Sequence, residues 1–300
     1  MPKVSIILPV YNVSSYLDEA MQSLLAQTFR DFEIIAVNDG STDNSLEILE
    51  KYAAQDSRIA CYSQHNQGQS AARNLALQHA QGEYIYFMDS DDTISPEAIR
   101  KCHDYICSTN ADFIFFDADI AYEEGSTTIP WNYKRTHLLK EHQPYSGDFL
   151  LNMMLDNGKH SCVVWALFIR RKFLEQIQLS FYPGIIHEDE LFTTILTLSS
   201  HHVFCLQQSL VSHRVRRSST MGIRYSERNI NGYLTVIDEL LKFQDSPLVR
   251  KFARYTLSKV FYTGHILPFA QKIRVFLRAA KSGYLPFIGS KSILVFWLKR

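Results

Sequence analysis

The sequence predicts an α/β protein, a wound and mostly parallel sheet followed by a helical appendage. Three observations point there. Through the first hundred residues, β-branched and aromatic runs alternate with stretches of helical spacing. The runs read as buried strands, as in parallel sheets whose crossovers cover both faces. Polar clusters stand where the runs stop, at the carboxyl ends where such sheets bind ligands.

VSIILPV (4–10) is the first strand and SSYLDEAMQSLLAQ (14–27) the helix that returns from it. FEIIAVND (32–39) with STDNSLEILEKYAAQ (41–55), and RIACYSQ (58–64) with GQSAARNLALQHA (68–80), repeat the unit, wound by right-handed crossovers. EYIYFMD (83–89) is the fourth strand, and Ser95 and Pro96 open the helix SPEAIRKCHDYI. From about residue 110 the pattern loosens: ADFIFFDADIAY begins a loop-like acidic and aromatic stretch that runs to about Pro144. SGDFLLNMMLD then reads as a helix, VVWALFIRR as a strand, HEDELFTTILTL as an amphipathic helix and VFCLQQSLVSHRVR as a strand pair. Beyond Asp245 the chain looks helical throughout, with Phe269, Ile273, Phe276, Leu277 and Ala280 on one face and Arg274, Arg278 and Lys281 on the other.

Composition narrows the class. At 46% hydrophobic and 21% charged, the 300 residues describe an ordinary globular chain and not a disordered one. Cys61, Cys102, Cys107, Cys162 and Cys205 are scattered without a CxxC pair, which argues against a zinc module or a disulfide framework and fits a reducing cytosol. The N-terminal apolar run is too short for a signal sequence, and Ile293 to Leu298 falls far below the roughly 20 residues of a membrane span. The net charge of zero hides an asymmetry. All 31 acidic residues lie at or before Asp245 and 11 of the 31 basic ones follow it, giving an acidic body of minus 11 and a tail of plus 11.

The polar clusters carry the candidate chemistry. EYIYFMDSDDT places Asp89, Ser90 and Asp91 as a DxD on what reads as extended chain, where alternate side chains point the same way and can meet a divalent ion with its phosphates. The same stretch fits DxDxT, the nucleophile pattern of haloacid-dehalogenase-type phosphatases with Asp89 attacked onto phosphate, and it also fits a solvated loop whose Asp92 or Ser95 caps a helix. In VNDGSTDNS, Asp39 is suited to accept a hydrogen bond from a pyrimidine imide, and Gly40 permits close approach. NQGQSAARN sets Gly68 before a helix whose Arg73 faces the same strand ends, as a phosphate or base contact or as the partner of an aspartate.

VSIILPVYN, NDGSTDNS, NQGQSAARN and GEYIYFMDSDD, in that order, resemble the nucleotide-binding half of the family 2 glycosyltransferases, whose fold is the GT-A type. The dehalogenase pattern loses ground, because its nucleophile strand opens that fold whereas three strand and helix units precede Asp89 here. The resemblance implies that Pro9, Tyr11, Asn12 and Asp39 bind the nucleoside, with Gly68 and Arg73 beside them. Asp89, with Ser90, matches the ribose-binding carboxylate, and Asp91 the ligand of a manganese or magnesium ion that holds the donor diphosphate. GIIHEDELF resembles the family's ED motif, which makes Asp189 the general base and sets Glu188 beside it on the acceptor and diphosphate. A simple N-terminal charge on a helix is the plainer alternative there. SHRVRRSST resembles the segment that closes over the diphosphate, with His213 as a further metal ligand and Arg214, Arg216 or Arg217 on phosphates. Many relatives carry an aromatic where His213 stands. Trp165 falls where the family often contacts the acceptor, or is a core tryptophan.

These expectations add up to an inverting transfer of a hexose or N-acetylhexosamine from a nucleotide sugar, a UDP-sugar first, to a hydroxyl of a glycan or lipid-linked glycan. The acceptor class is a surface polymer such as lipopolysaccharide, O-antigen or capsule; an inactive sugar-nucleotide-binding module is the remaining alternative. The expected division is a catalytic domain over 1–222, with a nucleotide half to 110 and an acceptor half from 111, and a basic helical region over 223–300. That region is expected to lie on anionic lipid at the inner, cytoplasmic face of the cell membrane, or to pack as a cap or a homo-oligomer face. Its aromatics do not interleave as a base-stacking groove would require, so nucleic acid is not the expected partner.

Overall fold

The protein is described here by a computed structural model covering residues 1–126, 128–129, 132–216 and 225–299. Strands and helices alternate as β1 (Val4–Val10), α1 (Ser14–Leu25), β2 (Phe32–Asp39), α2 (Ser45–Gln55), β3 (Ile59–Gln64), α3 (Gln69–His79) and β4 (Tyr84–Phe87). There follow β5 (Thr93–Ile94), α4 (Ala98–Thr109), β6 (Phe113–Tyr122), α5 (Gly147–Asp156), β7 (Leu167–Arg170), α6 (Arg171–Gln176), α7 (Glu188–Ser199) and β8 (Val203–Val215). Four helices end the chain: α8 (Glu227–Phe243), α9 (Pro247–Thr263), α10 (Phe269–Lys281) and α11 (Ser290–Leu298).

The described strands form one mixed sheet in the order β3-β2-β1-β4-β7-β6-β8-β5. β3, β2, β1 and β4 are parallel, β7 runs against β4 and β6, and β8 lies parallel to β6. Residues of β1 alternate between two cores: Ile6 and Leu8 pack toward α1 and α4, and Ile7 toward α3. That double burial is why the strand is apolar along its length.

Two elements differ from the sequence reading. ADFIFFDADIAY is not loop-like; it holds the ten-residue strand β6, whose register with β8 shifts on both sides of Asp117. Asp117 is buried there and accepts from Thr136 Oγ1 and from the amides of Arg135 and Thr136, so a strand residue looked like a loop residue because its partners are distant in sequence. VFCLQQSLVSHRV is one long strand, not a pair.

The four C-terminal helices build a third core with the body. Ile230, Leu234, Phe252, Leu257 and Phe296 pack with Leu151 and Leu155 of α5 and Leu191 and Leu198 of α7. Tail cations close on acids outside the tail: Arg274 pairs with Glu227, Arg250 with Asp245 and Lys251 with Asp156. The basic excess is therefore partly neutralised by the acidic body. Among the described residues no helix is long and apolar enough to cross a membrane.

Candidate active site

The strand ends of β1, β2 and β4 form one side of a cleft. Pro9 is buried in β1, and Tyr11, the first residue past the strand, is 48% exposed. Asn12 sits at φ +50°, where its Oδ1 accepts from the amide of Thr42 at 2.7 Å while its own amide donates to Ser41 Oγ. The loops after β1 and β2 are thereby knitted together. Asp39 is buried, and its carboxylate accepts from Gln64 Nε2 at 2.7 Å and from the amides of Gln67 at 2.9 Å and Gly68 at 2.8 Å. Gly68, at φ +88°, turns the chain so that this amide faces Asp39 just before α3 begins.

The acidic cluster is not extended. Ser90 and Asp91 occupy a turn closed by the Asp92 amide on the Asp89 carbonyl at 3.1 Å, which corrects the expectation of a DxD on extended chain. The turn sends its carboxylates to different partners. Asp89 Oδ1 accepts from Arg73 Nη2 at 3.0 Å and from Gln69 Nε2 at 3.1 Å. Asp91 meets Arg216 Nε at 2.8 Å, an ion pair whose N–H is not aimed along the contact. Asp92, read from sequence as a helix cap, is buried and receives His213 Nδ1 at 2.9 Å and the Arg214 amide at 2.8 Å. Ser90 is buried within the turn.

Electrostatics follow from that crowding. Burial, and then the charge of Asp89, raise Asp91 above the usual carboxylate range against the pull of Arg216 and His213. Burial likewise lifts Asp92 to about 6, opposed by the hydrogen bond from His213. Burial disfavours the His213 cation, but the hydrogen bond to Asp92 wins and raises it. With Nδ1 engaged, His213 keeps Nε2 for a ligand, and a carboxylate behind an imidazole is how metal-binding histidines are oriented. Among the described residues no three His, Cys, Asp or Glu side chains are grouped to hold an ion alone. One carboxylate and one imidazole, Asp91 and His213, suit manganese or magnesium if phosphate oxygens complete the shell.

The other wall comes from α7. Arg73 is 3% exposed and bridges Asp89 to Glu188 Oε1, 3.0 Å on each side, with its guanidinium over Phe181. Glu188 therefore turns to Arg73 and not outward toward an acceptor. Asp189 is only partly covered; it accepts from the Glu190 amide and from Cys162 Sγ. Burial of its carboxyl, followed by repulsion from Glu188 and Glu190, pushes it up to about 8 against the pull of Arg73. The desolvation outweighs the helix N-terminus, so a base poised near neutrality results. Glu190 is the reverse: burial raises it, but His160 at 2.8 Å, Cys162 and His187 hold it to about 2.

Trp165 does not reach a free surface. It is 4% exposed, edge-on to Tyr133 and stacked on His213 at 5.0 Å, so packing makes it the backing of His213 in place of the expected acceptor contact. Arg214 is tied to Glu19 and the Asp91 carbonyl, while Arg216 also lies over Tyr16. Arg217 lies outside the described residues. Sequence reasoning missed Asp92 as the orienter of His213, and Cys162, His160 and Glu190 around Asp189. A third aspartate on a turn buried against a strand was the available signal for the first; the others are joined only by the fold.

Comparison with known proteins fits this arrangement. The profile "Glycosyl transferase family 2" matches residues 5–178. The chain is 31% identical to the uncharacterized glycosyltransferase YibD of Escherichia coli (strain K12) over 76% of its length and 66% of the relative's. It is 30% identical to the uncharacterized glycosyltransferase EpsJ of Bacillus subtilis (strain 168), over 89% of this chain and 77% of that one. With glycosyltransferase GlyA of Streptococcus pneumoniae serotype 4 it shares 30% identity over 84% of its length, and it spans 36% of that longer protein. Among solved structures, S. aureus TarS 1-349 in complex with UDP-GlcNAc aligns with TM-score 0.71 at 22% identity, covering 98% of this chain and 83% of that one. The mannosyltransferase PcManGT from Pyrobaculum calidifontis, in complex with GDP-Man and Mn2+, aligns at 0.61 with 16% identity over 95% and 77%. At these identities the two structures establish the fold and nothing finer.

Proposed function

The chain belongs to glycosyl transferase family 2 and has its GT-A fold, and from that premise we propose that it transfers a hexose or N-acetylhexosamine from a UDP-sugar with inversion. Asp189 carries the reading: it is a half-buried residue whose carboxyl burial sets near neutrality, and its neighbour Glu188 is tied through Arg73 to Asp89 of the DxD turn. The acceptor hydroxyl attacks the anomeric carbon, its proton passes to Asp189, and the bond from that carbon to the diphosphate breaks. Because the nucleophile comes from the acceptor, no enzyme-linked sugar forms. Tyr11 offers a ring face to the base, Asp39 an acceptor oxygen to its imide, and Asp89 with Ser90 the ribose contact.

A manganese or magnesium ion, when bound, supplies positive charge against the leaving diphosphate, and Asp91 with His213 would hold it. With an ion held there, Arg216, now paired with Asp91, would be free to meet phosphate. The acceptor proposed is a hydroxyl of a bacterial-type surface glycan such as lipopolysaccharide, O-antigen or capsule, presented at the inner face of the membrane. TarS, which shares this fold, was crystallised with UDP-GlcNAc, a compound of the donor class proposed here.

The test is a thermal-shift panel of nucleotide sugars with and without manganese, followed by donor turnover with wild type and Asp189→Asn. A metal-dependent upward shift with a UDP-sugar, and turnover lost in the variant, is the expected outcome. Shifts with a turnover indifferent to Asp189 would leave a binding module only, and turnover of phosphate monoesters through Asp89 would refute the transferase altogether.

A further inference from the structure

Most of the apolar stripe of α10 is turned away from the molecule, although Phe276 packs against the third core. Its inner face is Lys272, Val275 and Ala279, while Phe269 is 69%, Ile273 39% and Leu277 60% exposed. α11 adds Leu294 at 58% and Leu298 at 74%. Trp297 joins the two helices, its ring 6.0 Å from Phe269 and 5.3 Å from Phe276. Single exposed apolar side chains are ordinary; five large ones on two helices in contact through a tryptophan form a patch that asks for a partner.

Charge says which partner. Lys281 ends α10, Lys291 opens α11, and Lys299 follows α11 with Nζ 5.7 Å over the ring of Tyr262. None of the three is salt-bridged to an acid among the described residues, whereas Arg274, Arg250 and Lys251 are each taken by one. No carboxylate side chain follows Asp245 in the sequence. An apolar face with lysines beside it that no described carboxylate pairs matches a layer of anionic headgroups over acyl chains, which accepts both at once. A second copy of this chain would bring the same lysines against each other.

We propose that the outer face of α10 and α11 docks the protein on an anionic lipid bilayer. Phe269, Ile273, Leu277, Leu294 and Leu298 enter the boundary between headgroups and acyl chains, and Lys281, Lys291 and Lys299 meet the headgroups. This deepens the membrane-side placement proposed above and rests on it. It also places the chemistry: α10 packs on α8, and α8 packs on the loop that leads into Asp189. At 8–10 Å per helix layer, that loop stands roughly 20 Å above the lipid, within reach of a lipid-anchored glycan.

The experiment is flotation of the full chain with vesicles of phosphatidylglycerol and phosphatidylethanolamine, against vesicles of phosphatidylcholine alone. Wild type should float with the anionic vesicles and less well as salt rises. The combined variant Phe269→Glu, Leu277→Glu, Leu298→Glu should partition at least about tenfold less, and Lys281→Gln, Lys291→Gln, Lys299→Gln should lose the preference for anionic lipid. All six side chains are at the surface, so melting temperature should not move. Brominated lipids should quench wild type beyond Trp297→Phe, a readout that needs no charge reversal. Absence of flotation, equal flotation of the glutamate variant, or no quenching would overturn the proposal, as would a concentration-dependent dimer that the glutamates dissolve without any lipid binding. Donor-induced thermal shifts measured without vesicles test the transferase reading separately.

Discussion

Asp189 and Glu190 are neighbours on one helix turn with opposite proton affinities, a difference that agrees with the roles proposed for them. Asp189, at about 8, exchanges its proton near neutrality and is the ionised base in full only above that value; Glu190, at about 2, stays ionised against His160. Asp189→Asn should cost about 10²–10⁴ in turnover while the donor-induced thermal shift survives. Turnover should climb as pH rises through about 8, because only the ionised carboxylate is a base. Stability runs the other way. A carboxyl whose folded value is raised binds its proton more tightly in the native state, so it costs stability progressively as pH rises from its ordinary value of 3.8 to about 8. Asp189→Asn should therefore melt above wild type by a margin that widens over that window, as a calorimetric pH series would read. Arg73 is a buried cation between two carboxylates, and Arg73→Ala should lose about 3–5 kcal/mol in urea unfolding. At this scale the sequence made Asp39, Asp91 and Asp189 legible through motifs at strand and helix ends. It did not reveal Asp92, whose partner His213 lies 121 positions away, nor that Trp165 is buried beneath that histidine.

The loop before α7 owes its shape to α8. His187 adopts φ +70° with its ring stacked on Tyr233 at 4.0 Å, and a Cβ on Gly232 would stand 2.4 Å from the Ile186 carbonyl. Gly232→Ala must push that loop, and with it Asp189, off position. Turnover should fall by about 10²-fold with the donor dissociation constant unchanged, a split that separate binding and rate measurements expose. If both change together, α8 is merely structural. The first four strands and their helices were legible because double burial and Gly, Pro and Ser punctuation mark each boundary. β6 was not, because Asp117 interrupts its apolar run and finds its partners at residues 135 and 136.

The whole molecule does not divide cleanly at the end of β8. Leu151, Leu155, Leu191 and Leu198 belong to the core that α8 to α11 complete, so a chain stopped at residue 226 should expose them, bind hydrophobic dye and aggregate at concentrations where the full chain is soluble. The tail's helicity and its apolar stripe were readable from periodicity, but not which way the stripe faces, since that depends on the inner residues Val275 and Ala279 joining the third core where α10 packs on α8. The pairing of Arg216 with Asp91 reaches into how ligands arrive. A free divalent ion meets a carboxylate whose charge is already answered, so manganese alone should leave the melting temperature where it is. Manganese given together with UDP should raise it beyond UDP alone, because the diphosphate offers the displaced guanidinium a new counter-charge. Under the proposed assignment loading would be concerted, and an internal cation would be the doorkeeper that admits metal only in the company of its nucleotide.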